Sequence, residues 1–272
     1  MALVVPTSLS PSRVDAFTNC PLQFRFASIE RLPEPPSIHA TKGSLVHRAL
    51  ELLFCLPAAD RLPEAAERCF DQAAEEYLSD PEFTGLALDD DAAATFFEDA
   101  RVLTHAYFAI EDPRTVREIG LELRLEAEVG NLRLRGIIDR LELDQDGELV
   151  VTDYKTGRPP FRNREQSKLG GVHFYAFLCQ SVLGRRPARV RLMYLRTGEI
   201  IETFPSEQSV SFLTKRTAAV WQTVERACLT GDFRPRPSSL CPSCAFQTWC
   251  PSFGGDPERA AVEVPLRLGL AA

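Results

Sequence analysis

The sequence predicts an α/β fold, a sheet flanked by helices, and three observations carry that expectation. Apolar residues recur at helical spacing in TKGSLVHRALELLF, from Thr41 to Phe54. From Ile119 the pattern changes to alternation. It runs through LELRLEAEV, LRLRGIIDRLEL and ELVVTDYK as a three-stranded meander, with turns at Gly130-Asn131 and at Asp144-Gln145-Asp146-Gly147. The period then reverts to helical over about Glu165 to Val182, followed by a strand, ARVRLMYL at 188–195, a turn at Thr197-Gly198-Glu199 and a short return strand, IIETF.

The elements follow in order. Ser10 before Pro11 is an N-cap with proline at the first helical position, and that helix should end near Asn19, Cys20 and Pro21. Residues 31–37, RLPEPPS, form a proline-rich loop. The Thr41–Phe54 helix opens at Gly43 and carries His47 one turn inside. Residues 58–111 alternate acidic, alanine-rich and aromatic stretches without a chemical motif, and read as two or three scaffold helices inserted before a core at 119–206. A long helix from about Glu207 to Leu229 leads through RPRPSS into a cysteine-rich segment at 234–254, and the whole of 1–272 reads as a single domain.

With 272 residues, 44% of them hydrophobic and 25% charged, the chain can bury one large core. No apolar run approaches the ~20 residues that span a bilayer. The start, MALVVPTSLSPSR, lacks the basic and long apolar stretches of a secretory signal, so the expectation is a cytoplasmic protein with no membrane partner. In that reducing setting clustered cysteines point to metal rather than to disulfides. Cys55, Cys69, Cys179 and Cys228 sit in apolar helix-like segments and read as small buried hydrophobes. Cys241, Cys244 and Cys250, spaced C-x2-C-x5-C, offer three thiolates of an iron-sulfur centre with Cys20 as a distant fourth. A structural zinc site would suit the same spacing. The net charge of -7 disfavours binding of nucleic acid over the whole surface and leaves room for a local basic groove.

Side chains two apart on a strand share a face, so Asp153 and Lys155 project together while Tyr154 points away. Asp139 ends the preceding strand and, in an antiparallel pair, comes near Asp153. Two converging carboxylates hold a divalent cation, Mg2+ or Mn2+, that can polarise a phosphodiester and acidify the attacking water. Lys155 would orient or help deprotonate that water and stabilise the charge that develops. Gly136 permits close backbone approach and Gly157 lets the chain turn away. Alone, Asp-x-Lys would be a surface ion pair; beside Asp139 it reads as nuclease chemistry.

GSLVHRALE, GIIDR, DYKTG and the four cysteines together resemble the RecB-type exonucleases of the PD-(D/E)XK nuclease superfamily, in the iron-sulfur branch that includes AddB nuclease domains and CRISPR-associated adaptation nucleases. The resemblance runs from CPLQFRF at Cys20 to CPSCAFQTWC at Cys250 and leaves 58–111 and the C-terminal tail unmatched. It implies a restriction-endonuclease-like core with a central mixed sheet. It makes His47, Asp139 and Asp153 the metal ligands, Asp139, Asp153 and Lys155 the catalytic set, and Cys20, Cys241, Cys244 and Cys250 the ligands of a structural 4Fe-4S cluster. Glu122 resembles the family's additional acid, although among Glu118, Glu126 and Glu128 it reads equally as a solvated strand glutamate. Tyr175 fits the tyrosine of the family's Q-x3-Y motif, where Gly171 replaces the glutamine and Gln166 lies too far upstream. Tyr175 and Arg158 are the candidate DNA contacts.

Basic residues flank this region: Arg133, Arg135 and Arg140; Arg158, Arg162, Arg164 and Lys168; Arg185, Arg186, Arg189 and Arg191. In an acidic protein that concentration suggests a focused DNA channel. No Walker A pattern is present, so a separate helicase would have to open duplex ends, and single-stranded or end-opened DNA is the expected substrate. The expectation is a metal-dependent DNA exonuclease in repair and recombination. A non-catalytic DNA-end binding or assembly subunit and a CRISPR adaptation nuclease are the alternatives.

Overall fold

The computed structural model describes residues 3–130, 132–159 and 165–268, with main chain alone over 165–172. Asn131, Arg162 and Arg164, the side chains of Gln166 and Lys168, and the surroundings of Gly171 lie outside the described residues. In chain order the elements are β1 (Ser8–Leu9), α1 (Pro11–Asn19), α2 (Pro21–Phe24), a π-helical turn (Arg25–Ile29), α3 (Ile38–Phe54), α4 (Pro63–Leu78), α5 (Pro81–Thr84), α6 (Asp90–Ala106), β2 (Arg117–Val129), β3 (Leu132–Leu143), β4 (Leu149–Lys155), α7 (Glu165–Leu183), β5 (Arg189–Tyr194), β6 (Glu199–Thr203), α8 (Glu207–Thr230) and α9 (Ala260–Arg267). No helix among the described residues is long and apolar enough to cross a membrane.

The chain divides into two compact units. One comprises Pro36–Leu125 and Gly136–Val210. Its sheet is mixed: β3 and β4 are antiparallel, β4 and β5 parallel, β5 and β6 antiparallel, and β2 also pairs with β3. The parallel step needs a crossover, which α7 supplies, whereas β3 and β4 are joined by a tight turn. Helices α3, α4 and α6 turn their i, i+3 and i+4 apolar positions inward, with Val46, Leu50 and Leu53 meeting Ala66, Phe70 and Ala73, and Phe96, Ala100 and Leu103. Tyr154 of β4 and Met193 of β5 belong to the same core, so the helices between residues 58 and 111 fold onto the sheet that carries the candidate acids.

Helix α3 begins at Ile38, earlier than expected, and Gly43 lies within it instead of opening it. The glycine serves packing: a Cβ there would stand 3.3 Å from Thr156 Oγ1, on the chain just past Lys155. At the other end of α3, buried Arg61 donates from Nη2 to the Phe54 carbonyl (3.1 Å) and from Nε to the Leu56 carbonyl (2.9 Å), satisfying groups that a helix C-terminus leaves open. The same guanidinium pairs with Glu118 of β2.

The other unit comprises residues 3–35, 126–135 and 211–268 of the described chain. Ser10 caps α1 as expected, accepting from the Arg13 N–H at 3.4 Å. Strand β1 was not foreseen; it pairs parallel with the first part of β3, Leu9 opposite Leu134. The N- and C-terminal segments meet through Phe26 and Phe246, ring centroids 5.2 Å apart, and through Arg25 and Glu258 at 2.9 Å.

Candidate functional site

Strand β4 delivers Asp153 and Lys155 together. Lys155 Nζ is ion-paired with Asp153 Oδ2, and the Tyr175 hydroxyl of α7 donates to Asp153 Oδ1 at 3.2 Å. Arg140 pairs with Thr152, and one step on the same register sets Asp139 across from Asp153. Asp139 Oδ2 accepts the Tyr154 backbone N–H at 2.7 Å.

His47 reaches this cluster from α3. Its Nε2 lies 3.1 Å from the Tyr154 carbonyl oxygen, which can only accept, so Nε2 carries the proton. That fixes the tautomer and leaves the Nδ1 lone pair for a metal; Nδ1 faces Asp139 Oδ2 at 3.5 Å. Ligand atoms of His47, Glu122 and Asp139 all lie within 4.8 Å of one another. One nitrogen and two carboxylate oxygens at that spacing are a donor set a divalent cation can accept.

Glu122 enters the set through a break in β2. Its φ is 43°, in the left-handed region that side chains other than glycine rarely occupy. The alternation changes phase there: Ile119 is 52% exposed, whereas Leu125, on the same parity, is 5% exposed. An inserted residue of this kind re-aims a side chain, as a bulge does. Sequence alternation alone gave no sign of it, because LELRLEAEV reads as an unbroken strand.

Charge in the site is unevenly distributed. Burial, reinforced by Asp153, pushes the Asp139 carboxyl up to about 7, against the opposing pull of His47, Lys155 and the Tyr154 N–H. Burial likewise raises Glu122, with Glu51 and Asp153 adding and His47 and Arg124 opposing. Burial alone would lower Lys155, but Asp153 and Asp139 outweigh it and hold the ammonium above its ordinary value. Lys155 is therefore a cation near neutral pH, suited to stabilising charge and not to taking a proton. Burial also keeps the Tyr175 phenol neutral, so it is a donor to Asp153. Two open hollows share His47: one of about 500 Å³ with Glu122, Tyr77 and Arg124, the other of about 390 Å³ with Lys155, Tyr154 and Arg158.

The expected basic channel is corrected in part. Arg140 is fully buried and ion-paired with Glu111 and Glu142; Arg191 pairs with the same two carboxylates. Arg189 is held by Asp144, Arg185 by Glu148 and Arg133 by Glu126. Of these, only Arg140 and Arg191 have their charges engaged inside the protein; the pairs of Arg133 and Arg185 lie half-exposed at the surface and that of Arg189 is partly exposed. Arg158 is exposed and lines the hollow beside Lys155.

Cys20, Cys241, Cys244 and Cys250 are all free thiols, and all fall in the unit that holds the chain's two ends. Cys20, Cys241 and Cys244 line a hollow of about 510 Å³. The Ser238 N–H donates to Cys241 Sγ at 3.2 Å, and burial raises the Cys244 thiol, with the other three cysteines adding to the shift. Among the described residues, however, only His47, Glu122 and Asp139 meet the mutual distance of 4.8 Å, so the thiols do not converge as the closed cluster the sequence led us to expect.

A family model described as the PD-(D/E)XK nuclease superfamily matches residues 8–251. Among solved structures, a candidate exonuclease from Eubacterium rectale is 11% identical, covering 88% of this chain and 87% of its own with a TM-score of 0.50. The protein SSO0001 is 14% identical over 90% of this chain and 86% of its own, with a TM-score of 0.43. No curated protein matches the chain.

Proposed function

The chain belongs to the PD-(D/E)XK nuclease superfamily, and from that membership we propose that it is a divalent-metal-dependent deoxyribonuclease of the RecB type, an exonuclease acting on DNA ends in repair and recombination. The observation that carries the reading is the approach of His47, Glu122 and Asp139 to within 4.8 Å beside the Asp153–Lys155 pair. A bound Mg2+ or Mn2+ supplies Lewis-acid polarisation of the phosphodiester and a more acidic water.

His47 offers Nδ1, while Asp139 and Glu122 offer carboxylate oxygens, with Asp153 completing the acid set. Asp139 must shed its proton to act as a ligand. Lys155 stays protonated against Asp153 and stabilises negative charge as it develops on the phosphate. Tyr175 holds Asp153, and Arg158 meets the DNA backbone from the rim of the hollow. Single-stranded or end-opened DNA is the substrate, a separate helicase subunit opens duplex ends, and the cytoplasm is the location.

In this reading Cys20, Cys241, Cys244 and Cys250 are the ligands of a 4Fe-4S cluster, for which their sequence spacing and free thiols speak, and loading would draw together thiols that stand apart in the structure. The cluster supplies a crosslink between the two ends of the chain, and hydrolysis asks no electron of it. Anaerobically purified protein should be brown, with a broad absorbance near ~400 nm that Cys244→Ala abolishes. Colourless protein carrying stoichiometric zinc would sink this assignment.

Digestion of end-labelled single- and double-stranded DNA with Mn2+ or Mg2+, comparing the intact protein with Lys155→Ala, tests the activity. Metal-dependent cleavage that is lost in the variant is expected, and the product ladder gives its polarity. Failure of the cluster-loaded protein to cut either substrate overturns the nuclease reading.

A further inference from the structure

Next to Asp139 in sequence, and on the opposite face of β3, Arg140 has no exposed surface at all. Its Nη1 donates to the hydroxyls of Tyr154 (2.9 Å) and Tyr107 (3.2 Å), its Nη2 meets Glu111 Oε1 at 2.6 Å, and its Nε meets Glu142 Oε2 at 2.5 Å. The guanidinium also lies 4.7 Å from the Phe54 ring centroid. Arg191 bridges the same two glutamates at 3.0 and 3.4 Å, so two cations balance two anions inside the core. Stability alone is a weak account of such an arrangement, because well-packed apolar side chains in place of a buried ion network are often as stable or more so.

Tyr154 is what the network has in common with the candidate metal ligands. Its side chain points into the helical core and accepts from Arg140, while its own main chain donates to Asp139 at 2.7 Å and meets His47 Nε2 at 3.1 Å. One residue's backbone therefore sets the oxygen of one ligand and the tautomer of another. We propose that Arg140 is a positioning residue, anchoring Tyr154 so that its main chain holds His47 and Asp139 at metal-binding spacing. The proposal rests on the nuclease reading above. It assigns Arg140 a task different from phosphate contact, which its burial forbids.

The test is Mn2+ binding by calorimetry on the full chain, with KM and kcat on a labelled single strand, for the wild type, Arg140→Lys, Tyr154→Phe and Leu103→Ala. Tyr154→Phe removes only the hydroxyl; Leu103→Ala opens a cavity in the same core without touching these hydrogen bonds. The expected result is a Mn2+ affinity about tenfold weaker in Arg140→Lys and Tyr154→Phe, with KM for DNA unchanged, the loss typical of groups that orient metal ligands. Leu103→Ala should lower the melting temperature and leave Mn2+ affinity alone. Wild-type Mn2+ affinity in Tyr154→Phe overturns the proposal, and that variant decides alone where Arg140→Lys does not fold. A wild type that takes up no Mn2+ overturns the metal-dependent reading and this inference with it, so the two failures are told apart in the wild-type trace.

Discussion

Glu122 combines a strained backbone with a carboxylate within 4.8 Å of two other donors. A left-handed conformation costs a side chain with a Cβ roughly 1–2 kcal/mol, a cost glycine does not bear. Metal-free Glu122→Gly should therefore melt higher than Glu122→Gln, by the equivalent of about 1 kcal/mol, while both lose at least about tenfold in Mn2+ affinity. Equal melting temperatures would show that the strain is not there; unchanged Mn2+ affinity would remove Glu122 from the ligand set. Sequence reasoning ranked this residue beside solvated glutamates because it treats β2 as regular. Asp139, Asp153 and Lys155 were singled out by type and strand spacing and His47 by the family resemblance, and the structure brings the four side chains together. Arg140 and Arg191 were misread for the opposite reason: a sequence displays a charge but not its partner, and Glu111 lies on a segment with no motif to attract notice.

At the scale of elements, β3 and α7 pack closely at Gly136. A Cβ on Gly136 would stand 2.9 Å from Leu178 Cδ1 and 3.5 Å from Tyr175 Cε1. Gly136→Ala collides with the end of the Leu178 side chain, which is fully buried and has little room to swing aside, so α7 should shift outward at a cost of about 1–3 kcal/mol. Because Tyr175 moves with α7, the hydrogen bond to Asp153 should be lost along with stability. The expected outcome is a lower melting temperature together with a lower kcat, whereas Gly157→Ala, where an added Cβ meets nothing within 4 Å, should change neither. A Gly136→Ala protein with wild-type kcat would mean that α7 does not set the position of Asp153. The close approach at Gly136 was anticipated from sequence; the special need for Gly157 was not met. The meander, α7, β5 and α8 were legible because each sustains its period long enough to be read, while β1, with two residues, is too short to show any period and exists through its pairing with Leu134.

Across the whole molecule, metal, protons and folding are linked through Asp139. Its carboxyl is raised from 3.8 to about 7 in the folded protein, first by burial and then by Asp153. Between those values the folded state keeps a proton that the unfolded chain has already released, so this group's contribution to stability falls as pH rises from about 4 to about 7 and is flat above. Other carboxylates act in the opposite sense; Arg140 and Arg191 together hold Glu111 low against its burial, so a bare pH profile mixes signs. Comparison with Asp139→Asn, which mimics the protonated form, isolates the contribution of this carboxyl. In chelator the variant should be the more stable protein at pH 7.5, by an amount on the order of a few kcal/mol, and its advantage should vanish toward pH 4. Adding Mn2+ at pH 7.5 should reverse the order, since a ligating carboxylate is deprotonated and only the wild type can supply one, and the wild-type affinity should fall as pH drops below 7. Thermal unfolding of both proteins with and without Mn2+ at several pH values measures all of this. If Asp139→Asn is less stable than the wild type in chelator at pH 7.5, then Asp139 is ionised and satisfied without metal, and the strained acid cluster inferred here does not exist.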